Sequence, residues 1–144
     1  MTNGRLMLYR WATCDVTCHK AVQDIARYRE LIKEARDLTG VNYDGMPHST
    51  EVGRPTEQKA LKVLAIEEEY EAHIEYLLAQ VTGDLEVKRM VDNVLGGFPP
   101  IYAQMATLRY AKGYVWAVVA RTIYVSEATV RRMDKQLVDA IERL

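Results

Sequence analysis

The sequence predicts an all-α fold, an N-terminal helical hairpin over 1–97 followed by a C-terminal three-helix unit over 98–144, and three observations predict it. Apolar side chains recur at alternating steps of three and four along most of the chain, the repeat that lines one face of a helix. Proline and glycine gather in two stretches, so the segments between them run long and unbroken. A chain of 144 residues, 49% apolar and 27% charged, is enough for one ordinary domain with a core and argues against intrinsic disorder.

The first helix is expected over 16–39, where Ala21, Ile25, Tyr28, Ile32 and Ala35 form a stripe and Lys20, Asp24, Arg27, Lys33 and Arg36 lie off it. Gly40 is its expected stop. Val41 to Arg54 holds Gly45, Pro47 and Gly53 among polar residues and reads as an irregular connection, since the fixed φ of proline and the freedom of glycine both resist a helix.

Pro55 then opens a second helix, because its missing N–H falls among the groups that a helix start leaves unpaired anyway. Thr56 to Val81 contains no proline or glycine, and Ala60, Val63, Tyr70, Ile74, Leu77 and Val81 keep a heptad-like spacing. That seam offers a surface on which two chains can pair. It is interrupted at Glu67, within Glu67-Glu68-Glu69, a run read as a solvated helix face in preference to a metal or catalytic carboxylate cluster, and next as a polar seam position that sets the register of a helical pair. Thr82-Gly83-Asp84 is expected to kink or break the helix before a shorter one ending near Leu95, and Gly96-Gly97-Phe98-Pro99-Pro100 marks the boundary.

Three stripes follow: Ile101, Met105 and Leu108; Trp116, Val119, Ala120 and Ile123; and Val130, Met133, Leu137, Ala140 and Leu144. Gly113 separates the first two helices, and Ser126 is the expected N-cap of the third, though Thr129 cannot supply the reciprocal arm of a capping box. Two short helices crossing over a tight turn need a small residue at the closest approach and apolar residues around it. Ala120, with Val119, Ile123, Val125, Val130 and Met133, has the spacing of a helix-turn-helix. Tyr124 stands where many such turns place glycine, a position where a bulky residue is uncommon. With that face buried, Glu127, Ala128, Arg131, Arg132 and Lys135 point the other way. A cationic face with a small residue near its start suits a major groove, where arginine reads guanine O6 and N7, while Arg109, Lys112 and Arg121 are candidates for phosphates. Glu127 reads either as an acceptor for cytosine or as a repulsion against phosphate.

The net charge of −1 conceals an uneven distribution. Residues 57–98 carry four Lys/Arg against nine Asp/Glu, whereas residues 98–144 carry seven against four. The basic surplus therefore coincides with the expected reading helix.

The set Leu108-Arg109-Tyr110, Gly113, Trp116, Val119-Ala120, Val125-Ser126 and Thr129-Val130 resembles the DNA-reading fourth region of sigma-70-type factors. Over more of the chain, with Met46-Pro47-His48-Ser49 in the loop and Pro55-Thr56-Glu57-Gln58-Lys59-Ala60 opening the long helix, the sequence resembles the small phage and prophage transcriptional regulators of the RinA/ArpU kind. The resemblance implies sequence-specific binding to double-stranded DNA, control of phage late or packaging genes, and host RNA polymerase as a partner. A full sigma-factor role, which needs further sequence to melt a promoter, is not expected.

Rival readings are a packaging protein of the small-terminase kind, which joins a helix-turn-helix to oligomerising helices, and a module that docks on polymerase with weak affinity for DNA. Operators pair half-sites with paired proteins, so a homodimer through Val63, Tyr70, Ile74, Leu77 and Val81 is expected. Cys14, Cys18 and His19 are three soft ligands without an evident fourth, and ordinary buried or reduced thiols are expected rather than a metal site. His48 and His73 are isolated, and Asp44, His48 and Ser49 share one loop without the rigid orientation that catalysis needs. The expectation is a protein that is not an enzyme and needs no cofactor. No run approaches a bilayer span and no secretory core is evident, so a cytoplasmic location in a bacterial host cell is expected.

Overall fold

The computed structural model describes residues 2–39 and 54–144. It is all-α, with α1 (Asn3–Thr39), α2 (Arg54–Gly96), α3 (Pro100–Ala106), α4 (Trp116–Thr122) and α5 (Glu127–Glu142); a π-helical turn, Thr107–Ala111, continues α3. No strand occurs among the described residues, and no helix there is long and apolar enough to cross a membrane. The expected stop at Gly40, the connection holding Gly45, Pro47 and Gly53, and the Asp44, His48 and Ser49 set lie outside the described residues.

Two helix boundaries differ from the sequence reading. α1 begins at Asn3 rather than near residue 16. Its first turns carry apolar side chains nearly all round, which hides the periodicity, yet Leu8 is fully buried and Met7, Trp11 and Ala12 pack against the same core. α2 runs unbroken through Thr82-Gly83-Asp84. A glycine within a helix costs about 1 kcal/mol relative to alanine, and here the helix continues beside a tertiary contact. Arg10 donates from Nη2 and Nε to Asp84 Oδ1 at 2.9 and 3.2 Å, and its guanidinium lies beside the bare Cα of Gly83.

The chain divides into two compact units, Met1–Cys18 with Val81–Leu144, and His19–Gln80, so the expected boundary at 97/98 is replaced. Gly96 to Pro100 does end a helix. The stripe Val87, Val91 and Leu95 that precedes it is nevertheless buried in one core with Leu8, Met105, Val119, Val130, Leu137 and Ile141. Backbone punctuation and the edge of a core are separate matters, and here they fall in different places. In this unit α1 also crosses α5 closely: a Cβ on Gly4 would lie 2.9 Å from the Val138 carbonyl oxygen and 2.8 Å from Glu142 Cγ.

The second unit is an antiparallel hairpin. Ile25 and Ile32 of α1 and Ile74 of α2 form its buried centre, with Tyr28, Tyr70 and Leu77 packed around them. Tyr28 stacks on His73 at 5.2 Å between ring centroids and meets Tyr70 at 5.4 Å. The seam expected to join two chains is thus used within one: Tyr70, Ile74 and Leu77 cover the chain's own α1, Val63 is buried, and Val81 is half-buried at the start of the other unit's share of α2. The hairpin covers this apolar stripe with its own first helix. Glu67 proves to be a seam residue and not a solvated one. It is buried and accepts from Arg36 Nε across the hairpin, whereas Glu68 and Glu69 are exposed. The pair joins the two helices of the hairpin across the seam.

Candidate nucleic-acid interface

The small core under α4 and α5 is assembled as the spacing requires. Val119, Ala120, Ile123, Val130 and Met133 are buried and Val125 is packed against them. The near absence of a side chain at Ala120 lets the turn close, and the Val125 N–H donates to the Ala120 carbonyl at 3.0 Å. Tyr124 adopts φ 60° in the left-handed region, and its side chain is 94% exposed. The turn is therefore made with tyrosine in a glycine-like conformation. Gly113, at φ 71°, ends the preceding helical segment.

Ser126 caps α5: its hydroxyl accepts from the Thr129 N–H at 3.1 Å and pairs with the Thr129 hydroxyl at 2.7 Å. Beyond that cap the helix is sharply two-faced. Val130, Met133, Leu137, Val138 and Ile141 are buried, while Glu127, Ala128, Arg131, Arg132 and Lys135 are exposed together. Glu127 Oε1 accepts from Arg131 Nη2 at 2.9 Å, one helical turn apart. Lys112 and Arg121 are also exposed.

Arg109 differs from the expectation of a phosphate ligand. Its Nη1 donates to the Tyr114 carbonyl at 3.0 Å and its guanidinium lies 4.4 Å from the centroid of the Trp116 ring. A planar cation held by both a hydrogen bond and an aromatic face braces the connection between the π-helical turn and α4.

Asp134 is the residue that pattern reading misses. It lies on α5, 2% exposed, and accepts from the Tyr110 hydroxyl at 2.5 Å while Arg5 Nη2 stands 3.3 Å from its other oxygen. Burial above all, and then the Asp134 carboxylate, push the Tyr110 phenol well above its usual range. A signal was present: Asp134 falls four residues after Val130 and four before Val138, on the buried stripe, where an unpaired carboxylate is not tolerated.

An open groove of about 420 Å³ flanks the turn, lined by Ala103, Gln104, Thr107, Leu108, Lys112, Thr122 and Ile123. Comparison of the chain with family models, with curated proteins and with solved structures finds no match.

In the helix α1, Cys14 Sγ lies 3.7 Å from Cys18 Sγ, and His19 Nε2 lies 3.2 Å from the Gln23 amide nitrogen. Among the described residues no three His, Cys, Asp or Glu side chains gather as a metal would require.

Proposed function

We propose that the chain is a sequence-specific, double-stranded-DNA-binding transcriptional regulator, with α5 entering the major groove. The observation that carries this reading is the division of α5: one face buried on α4, the other presenting Arg131, Arg132 and Lys135 beside the small Ala128 just after the Ser126 cap. The basic surplus of the C-terminal third supports it, since one of its four acids, Asp134, is buried and neutralised in the fold. Control of phage or prophage late or packaging genes, with host RNA polymerase as partner, follows from the family resemblance of the sequence. Selection of bound duplexes from a random library tests the reading. The intact chain should enrich a defined site that an Arg131→Ala/Arg132→Ala variant no longer enriches; equal behaviour of the two overturns it.

A second reading, a module that docks on polymerase, is favoured by the groove beside the turn, whose Ala103, Leu108 and Ile123 wall is apolar and whose rim carries Lys112. Its sign is a shallow salt dependence of DNA binding, because each phosphate contact steepens the log–log slope by about 0.9.

A further inference from the structure

One face of the His19–Gln80 hairpin has a charge arrangement that the single chain leaves unused. On α1, Val22, Arg29 and Lys33 follow one another at helical spacing, and on α2 so do Glu68, Glu71, Glu75 and Leu78; all seven are exposed. Both rows border the same side of the hairpin, because Arg29 and Arg36 share a groove of about 430 Å³ with Glu71 and Glu75, floored by Ile32 and Ile74. The Tyr28–His73 stack and the Arg36–Glu67 pair set the register. By that register Arg29 is level with Glu71 and Glu75, Lys33 with Glu68, and Val22 with Leu78. One helix thus shows a column of cations and its neighbour a column of anions at matching heights. Among the described residues no ion pair joins Arg29 or Lys33 to Glu68, Glu71 or Glu75 within the chain.

We propose that this face is the homodimer interface, formed with a second copy of the chain about a two-fold axis running along the hairpin. Two hairpins laid face to face have two ways to obey a two-fold axis in the plane between them. An axis across the helices sets α1 on α1 and α2 on α2, cation on cation and anion on anion. An axis along the helices sets α1 of each copy on α2 of the other. Only the second brings Arg29 onto the partner's Glu71 and Glu75 and Lys33 onto the partner's Glu68, twice over by symmetry. It also brings Val22, 59% exposed, onto the partner's Leu78, 47% exposed, so apolar area is covered beside the charges. The product is a parallel pair of hairpins, a four-helix bundle in which both chains leave at the same end.

The interface needs no DNA, so its test stands apart from the reading of α5. Sedimentation of the full chain across the micromolar range should give twice the 16.5 kDa of one chain. Arg29→Glu and Glu75→Arg should each weaken self-association by more than about tenfold, because each places like charges opposite one another at two symmetric positions. Circular dichroism of each variant reads whether the helices are kept. The decisive arm mixes the two variants: Glu at 29 then faces Arg at 75 and the unchanged Arg29 faces the unchanged Glu75, so a heterodimer should form at parental strength. A monomeric parent, a ring or other larger assembly, a dimer indifferent to both reversals, or folded variants that fail to associate on mixing would each overturn the interface.

Discussion

The Tyr110 hydroxyl donates to the Asp134 carboxylate at 2.5 Å inside the core that carries α5, and Arg5 of α1 stands 3.3 Å from the other carboxylate oxygen. Three parts of the sequence far apart in number are joined by this chain of polar contacts: the start of α1, the π-helical turn and α5. Removing the donor leaves a buried anion short of a partner, so Tyr110→Phe should destabilise the protein by about 1.5–3 kcal/mol, the range for hydrogen bonds to charged groups. Urea unfolding checks it, and an unchanged midpoint would show that water replaces the hydroxyl.

Stability should fall on the alkaline side. Burial first, and then Cys18, push the Cys14 thiol up from 9.0 to about 11, and Tyr110 is displaced in the same direction from 10.0. Both groups hold their protons more tightly folded than unfolded. Their contribution is complete below pH 9, and for Cys14 it is lost as pH rises from 9 through about 11, with Tyr110 following from 10 upward. Urea midpoints measured across that window should decline, and less steeply in Cys14→Ala than in the parent.

Tyr124 is held in a conformation that glycine adopts freely, and with its side chain 94% exposed little in the chain offsets the strain. Left-handed geometry costs an L-residue roughly 1–2 kcal/mol, while glycine adds backbone entropy to the unfolded chain. Tyr124→Gly should therefore stabilise by up to about 1 kcal/mol. A lowered Tm would mean that the ring makes a supporting contact in solution.

At Gly4, α1 lies close against α5, where an added Cβ meets the Val138 carbonyl oxygen at 2.9 Å. Glu142 can swing aside but a backbone carbonyl cannot. Gly4→Ala should destabilise by about 1–3 kcal/mol through overpacking, even though alanine is the better helix former. Thermal denaturation giving an equal or higher Tm would refute the close crossing.

The exposed cations should separate by role in DNA titrations. Arg131→Ala should relax the preference at one base position by about 1–3 kcal/mol, and Arg121→Ala should weaken all duplexes alike and flatten the salt slope by about 0.9. Arg109→Ala should instead lower stability, since its guanidinium is engaged by Tyr114 and Trp116. Base selectivity changed most by Arg121 would reverse these assignments.

Much of the reading end was legible because its determinants are local. The i, i+3, i+4 recurrence of Val119, Ile123, Val130 and Met133, the small Ala120 and the hydroxyl of Ser126 act within a few residues of themselves, and all stand where their spacing puts them. The left-handed turn was legible too, as a position calling for glycine, although not that tyrosine would accept it.

The sequence by itself determined that the chain is all-α and which side of α5 is turned outward, since apolar periodicity decides helix and face without reference to a partner. Only the tertiary structure decided what each face meets. A stripe on α2 reads the same whether it will cover another chain or the chain's own α1, and the place of Asp134 on a buried stripe calls for partners without saying that they are Tyr110 and Arg5, both distant in sequence. Periodicity records that a surface must leave water, whereas the identity of its partner depends on long-range chain closure that no local spacing encodes.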